Sequence, residues 1–186
     1  MKSITIKSLL AAALLLPFAA SAAPITGDIG MGGALLPSCG GVSGGGCTMD
    51  IADGLDFTPN SALISFATGD FATAGIVFGD LATINDFGFD PFATVNPLWT
   101  IAGFSFALES LTIVDQTSTV LELRGSGTIS ADGFDDTLGF WSLSTDAASP
   151  NITFSWSSTT VAPEPGILIL MGMGLIGGLA ARRLKR

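Results

Sequence analysis

Between residues 24 and 160, apolar and polar side chains alternate with a period close to two. Ile152, Phe154 and Trp156 interleave with Thr153, Ser155 and Ser157, the pattern of a half-buried strand, since successive strand side chains point to opposite faces. A longer alternation puts Leu98, Thr100, Ala102, Phe104, Phe106 and Leu108 on one face. Trp99, Ile101, Gly103, Ser105 and Ala107 fall on the other. Shorter runs predict strands over 62–67, 75–78, 111–114, 119–123, 127–130 and 139–144. Asp115-Gln116-Thr117-Ser118, Asp132-Gly133 and Ser149-Pro150-Asn151 supply turns between them. No stretch of this body carries the 3.6-residue repeat of an amphipathic helix. Short strands with frequent turns predict an all-β, antiparallel β-sandwich.

Two continuous apolar runs break the alternation, one at each end. Leu9 to Phe18 follows Lys2 and Lys7 and precedes Ala20-Ser21-Ala22, whose small residues suit signal peptidase. This order predicts a secretory signal peptide over 1–22, cleaved after Ala22, with Ala23 the competing site. At the other end, Pro163-Glu164-Pro165-Gly166 leads into apolar residues 167–181, closed by Arg182, Arg183, Lys185 and Arg186. The prolines disfavour helix and predict an extended stalk. The apolar run predicts a short transmembrane helix of ~22 Å, which needs snorkelling or local thinning to cross a core of ~30 Å. The basic cluster acts as a stop-transfer signal and stays cytoplasmic. Three regions follow: a signal at 1–22, an exported body at 23–160 and a tail at 161–186.

Charge sharpens the picture of the body. Arg124 is its one basic residue against fifteen acids, a net charge of −14, whereas the whole chain carries −9. So acidic a surface repels phosphate backbones, which excludes nucleic acid as a partner. The chain has no His. His-dependent triads and His-ligated zinc are therefore ruled out, and no catalytic residue, metal ligand or cofactor is expected. Cys39 and Cys47 enclose a glycine-rich loop, and export to an oxidising compartment predicts a disulfide between them. Asp50, Asp53 and Asp56 gather around Gly54, and Asp132, Asp135 and Asp136 around Gly133. Neither run has the spacing of a known calcium loop, and Asp also serves simply to open turns. Gly172-Met173-Gly174-Leu175-Ile176-Gly177 matches a dinucleotide fingerprint but lies inside the apolar run, with no strand before it. Asn151-Ile152-Thr153 is a formal glycosylation sequon that reads here as a turn entering a strand.

The order of Pro163-Glu164-Pro165, apolar helix and terminal Arg cluster resembles the PEP-CTERM sorting signal of Gram-negative bacteria. The resemblance covers residues 161–186. Within the body, Gly54-Leu55-Asp56-Phe57, Gly69-Asp70-Phe71, Pro97-Leu98-Trp99 and Gly125-Ser126-Gly127-Thr128 are similar to segments of small PEP-CTERM proteins, although the cysteine pair departs from them. The resemblance implies recognition by an exosortase, a membrane-embedded cysteine transpeptidase, with cleavage near Pro163–Gly166. It also implies a link to exopolysaccharide or biofilm.

Three functions are compatible with these residues. The first is a non-enzymatic envelope or matrix protein, structural or adhesive, anchored by its helix and then released or surface-attached. Its partners would be signal peptidase, the exosortase and exopolysaccharide. The second is a carbohydrate-binding module, for which Trp99 and Trp141 are the candidate stacking residues. The third is a glycosidase, which needs paired carboxylates and has only Glu109 and Glu122 as body glutamates. Glu122 and Arg124 are expected on one strand face.

Overall fold

The computed structural model describes residues 22–146 and the strand over 152–160. In chain order the strands are β1 (Ala23–Pro24), β2 (Asp28–Cys39), β3 (Val42–Ser43), β4 (Gly54–Phe57), β5 (Ser61–Ala67), β6 (Leu81–Ile84) and β7 (Phe87–Gly88). They continue as β8 (Val95–Ile101), β9 (Phe104–Gln116), β10 (Leu121–Ser130), β11 (Phe134–Asp135), β12 (Thr137–Asp146) and β13 (Ile152–Thr160). One short helix, α1 (Gly69–Thr73), and a 3-10 turn at Met49–Ile51 interrupt them. Residues 1–21 of the signal expected over 1–22, the turn at 149–151 and the tail at 161–186 lie outside the described residues.

The antiparallel all-β body is as the alternation predicts, but its main sheet is a single one rather than two packed face to face, with only the short parallel β1–β11 pair outside it. Pairing runs β2–β5–β6–β8–β9–β10–β12–β13, and β13 then pairs back onto β2, from Ile152 opposite Leu35 to Thr159 opposite Asp28. Every step of this ring is antiparallel. The expected sandwich is thereby corrected to a closed up-and-down barrel. The physical difference is that a sandwich leaves open strand edges, and the β13–β2 ladder removes them.

The long alternating stretch over 98–108 is likewise corrected. It is a hairpin of β8 and β9, turning at Ala102 and Gly103, both with positive φ (47° and 86°). Two successive left-handed residues match the right-handed twist of the flanking strands. The turn restores phase, so Trp99 and Ile101 face the interior together with Phe104, Phe106 and Leu108. The predicted strand over 75–78 is also absent. Those residues form the link between α1 and β6.

The core fills the ring. Trp99 stacks on Phe106 at 5.9 Å, and Phe71 of α1 meets Phe104 at 4.8 Å and Trp99 at 6.3 Å. Ile29, Met31, Leu35, Ile64, Leu123, Ile129 and Leu143 are among the residues buried with them. Two ends are covered differently. At the end holding Asp28 and Thr160, the segment 22–27 crosses the opening. Ile25 is buried and its amide donates to Thr137 Oγ1 at 2.8 Å, while β1 pairs with β11. At the opposite end, β4 extends from β2 and β7 from β4, and the 3-10 turn closes over them. Gln116 ties this lid down, its Nε2 donating to the Met49 and Ala52 carbonyls at 2.8 and 2.9 Å. The Cys39–Cys47 disulfide is formed here, with Cα atoms 5.7 Å apart.

Strand glycines make room for the aromatic core. Gly127 pairs with Gly139, and a Cβ on Gly127 would lie 1.8 Å from the Ala107 carbonyl oxygen and 3.0 Å from the Phe106 ring. A side chain there forces the β9–β10 bulge apart. Gly127→Ala is therefore expected to cost more than about 2 kcal/mol, the scale of overpacking. Gly88→Ala, whose Cβ would meet its nearest atom at an ordinary 3.6 Å, should stay within about 0.5 kcal/mol. Urea midpoints of the two variants and the parent decide the matter, and equal midpoints for the two would contradict the close approach.

Candidate functional site

The residues singled out for carbohydrate stacking lie inside the barrel. Trp99 is fully buried against Phe71 and Phe106, and Trp141 is buried against Phe87 at 6.0 Å. Neither can offer a face to a sugar, so the carbohydrate-binding reading loses both of its anchors. The turn at Ala102-Gly103 puts Trp99 on the same face as Phe104 and Phe106 rather than on the opposite one.

The glutamates are held apart by register. Glu109 lies on β9 level with Ser126 and Gly127, whereas Glu122 lies opposite Asp115. The interval is roughly 15 Å at ~3.3 Å per residue. Glycosidase carboxylates sit ~5–9.5 Å apart, so these two do not form such a pair. Each has a local partner instead. Glu109 accepts from Thr128 Oγ1 at 2.9 Å, and Glu122 holds Arg124 at 2.7 Å on the strand face expected for both.

Two clefts remain. One, of about 320 Å³, opens at the disulfide end among Ser38, Ser43, Asp53, Asp56, Asp86 and Phe87. Its carboxylates brace turns. Asp53 accepts the Gly40 amide at 2.8 Å, and Asp86 accepts the Phe57 amide at 2.7 Å and Asn60 Nδ2 at 3.1 Å. Asp56 accepts hydroxyl hydrogen bonds from Ser43 and Thr58, which hold its carboxyl below the usual 3.8. The second cleft, of about 290 Å³, lies at the terminal end among Ala102, Phe104, Ala131 and Phe134, with Asp70 and Asp132 at its rim. Asp70 is engaged by the amide and hydroxyl of Thr26 at 2.7 and 2.9 Å, stitching the N-terminal segment to α1. Of the two Asp clusters, Asp136 is bound by Ser130 and Asp53 and Asp56 as above. Among the described residues no three His, Cys, Asp or Glu side chains converge to hold a metal ion.

What the barrel does present is a place from which the tail departs. β13 ends at Thr160, beside Gly139 of β12 and one residue beyond the Thr159–Asp28 pair. Both ends of the described fold thus emerge at one end of the barrel, away from the disulfide. A family model, the PEP-CTERM protein-sorting motif, matches residues 161–186. The chain carries a PEP-CTERM sorting motif at its C-terminal end. The motif implies export and exosortase-dependent sorting, with a surface or extracellular destination. No curated protein and no solved structure is matched by the chain. Pro163, Glu164, Pro165 and Gly166, and the basic residues Arg182, Arg183, Lys185 and Arg186, all fall within the matched PEP-CTERM segment, which lies beyond the described residues. Among the described residues no helix is long and apolar enough to cross a membrane.

Sequence reading missed one surface feature. The segment read as a strand over 75–78 is a turn whose Val77 and Phe78 side chains stand in solvent. The signal lay in Gly79-Asp80, whose carboxylate accepts the Val77 amide at 2.9 Å and closes the turn.

The Asp56 arrangement has a pH signature. A carboxyl whose folded pKa is lowered contributes stability that is complete above its unfolded value. That contribution is lost as pH falls through the lowered folded value. Asp56→Asn should therefore be slightly less stable than the parent at neutral pH, and the gap should close below about pH 4. Thermal melts across an acid series check this, and a gap that stays constant with pH would refute it.

Proposed function

We propose that this protein is a non-enzymatic component of the bacterial envelope or extracellular matrix, structural or adhesive, and associated with exopolysaccharide. It would be exported by a cleaved signal peptide, held briefly by a C-terminal membrane helix and released by an exosortase. The observation carrying this reading is the placement of the sorting motif directly after the strand that closes the barrel. Only Val161 and Ala162 separate Thr160 from Pro163. The cleavable segment is attached to a finished, sealed body, and its removal takes nothing from the ring. The filled interior and turn-bound carboxylates fit a protein whose outer surface, rather than an internal pocket, is the working part. Removal of residues 1–22 leaves β1 intact, since its pairing begins with Ala23 opposite Phe134.

The acidic surface favours hydrated matrix and cation-bridged contacts over anionic partners. Glu164 between two prolines gives the stalk one charge at a defined place. The basic residues after the helix oppose translocation, so the stalk is presented on the outer side.

Intact-mass measurement of the exported protein tests the processing. With the exosortase present, residues 167–186 should be missing and the N-terminus should begin at Ala23. With the exosortase deleted, the tail should be retained. Retention of residues 167–186 in both strains would overturn the proposal. Fractionation of the same cultures tests the destination. The processed form should partition with matrix polysaccharide, and its recovery solely in the soluble medium would exclude the structural role.

A further inference from the structure

The outer wall of the barrel carries an apolar cluster where β5 meets β6 and the turn before it. Leu63 of β5 pairs directly with Leu81 of β6, and both are exposed. Phe66 follows on β5, its ring covering Gly30. Val77 and Phe78 project from the adjoining turn, Phe78 being 77% exposed. That turn is fixed in place. Ile76 is buried beneath it, the Gly79 amide donates to the Ile64 carbonyl at 3.0 Å, and the Ile64 amide donates to the Asp80 carbonyl at 2.8 Å. Counting on from the Ile64–Asp80 level, Phe78 falls level with Phe66. A rigid exposed aromatic pair flanked by leucines is more than the scattered apolar exposure of an ordinary surface.

Its position relative to the tail is set by the ladder. Phe66 pairs with Gly30, and Gly30 pairs with Ser157 of β13. The patch therefore lies two strand spacings, ~10 Å, from the strand that ends at Thr160. Phe140, also exposed, flanks that strand on its other side, opposite Thr159. The three exposed phenylalanines among the described residues thus surround the exit of the tail. From Thr160 to Ile167 there are seven Cα steps, at most ~25 Å fully extended. A chain anchored by residues 167–181 cannot hold this end of the barrel farther than that from the bilayer.

We infer that the Leu63, Phe66, Val77, Phe78 and Leu81 surface seats against the outer face of the membrane while the tail is inserted. The ligand is the uncharged interfacial region of a zwitterionic bilayer. Asp28, Asp70, Asp80 and Asp132 lie at the same end of the barrel and disfavour an anionic lipid surface. Aromatic rings partition to this interfacial depth. Seated in this way, the barrel holds Pro163-Glu164-Pro165 at the membrane face, within reach of a membrane-embedded enzyme. The inference rests on the proposed membrane insertion of the tail, and the test separates the two.

The full-length precursor carrying Phe78→Trp is reconstituted into phosphatidylcholine vesicles and floated on a density gradient. Its added emission over the parent is then compared in vesicles with plain and with brominated acyl chains. Flotation together with at least a twofold loss of the added emission is expected. Ile51→Trp, at the exposed disulfide end, should show no loss. Val77→Trp serves as a second reporter should the first variant fold poorly. Failure to float would overturn the tail insertion and the seating with it. Flotation without quenching would leave the insertion standing and overturn the seating. A blue-shifted but unquenched reporter would overturn it too, showing the patch covered by a second copy of the chain.

Discussion

The ladder between β2 and β13 is the contact on which this structure depends. It joins the first long strand of the body to the last, so that these two strands, like the others of the ring, are held between two neighbours. Without it β2 and β13 would be bare edges rich in unpaired amides and carbonyls, the condition under which β-proteins join edge to edge. With it, the wall is continuous and the aromatic interior is sealed along its length. The segment 22–27 and α1 cover one opening, and the 3-10 turn and β4–β7 cover the other. Those covers are stitched by hydrogen bonds to side chains, Thr137, Asp70 and Gln116, rather than by further sheet.

Much of the strand content was legible in the alternation, because a half-buried wall must write its period into the sequence. Ser61–Ala67, Thr137–Asp146 and Ile152–Thr160 fall where apolar and polar residues alternate. The disulfide was legible from cysteine count and compartment, and the Glu122–Arg124 ion pair from their two-residue spacing. The tail was legible because its parts are local and ordered. What escaped was whatever depends on contacts distant in sequence, or on a phase change. β2 was hidden by Gly30, Gly32 and Gly33, which carry no hydrophobic signal, and at Gly30 the Phe66 ring leaves no room for a side chain. Closure into a barrel rather than a sandwich turns on a pairing between residues more than a hundred positions apart. The β8–β9 turn was hidden because Ala102 takes a left-handed conformation more usual for glycine or asparagine, so the alternation appeared to run straight through it.

That single misread turn decided the functional candidates. With an unbroken strand, Trp99 lies on the face opposite Phe104 and Phe106, where it is either buried under a second layer or open to a sugar. With a hairpin, Trp99 is a core residue stacked on Phe106. The carboxylates show a related lesson. Their clustering around glycines looked like the beginnings of a cation site, yet most of those with an identified partner cap amides and hydroxyls in turns. Much of the chemistry suggested by composition is thus absorbed by the architecture.

One further consequence follows from the order of strands. In the proposed topology the strand that completes the ring would also be the last to cross the membrane, immediately ahead of the segment proposed to halt translocation. While such a chain is still threading, β2 would have no partner on its β13 side, so ring closure would await the arrival of the tail. Folding and arrest would thereby be synchronised. A chain cut short anywhere before Thr160 lacks both the closing strand and the address, so a defective body is also one that cannot be sorted.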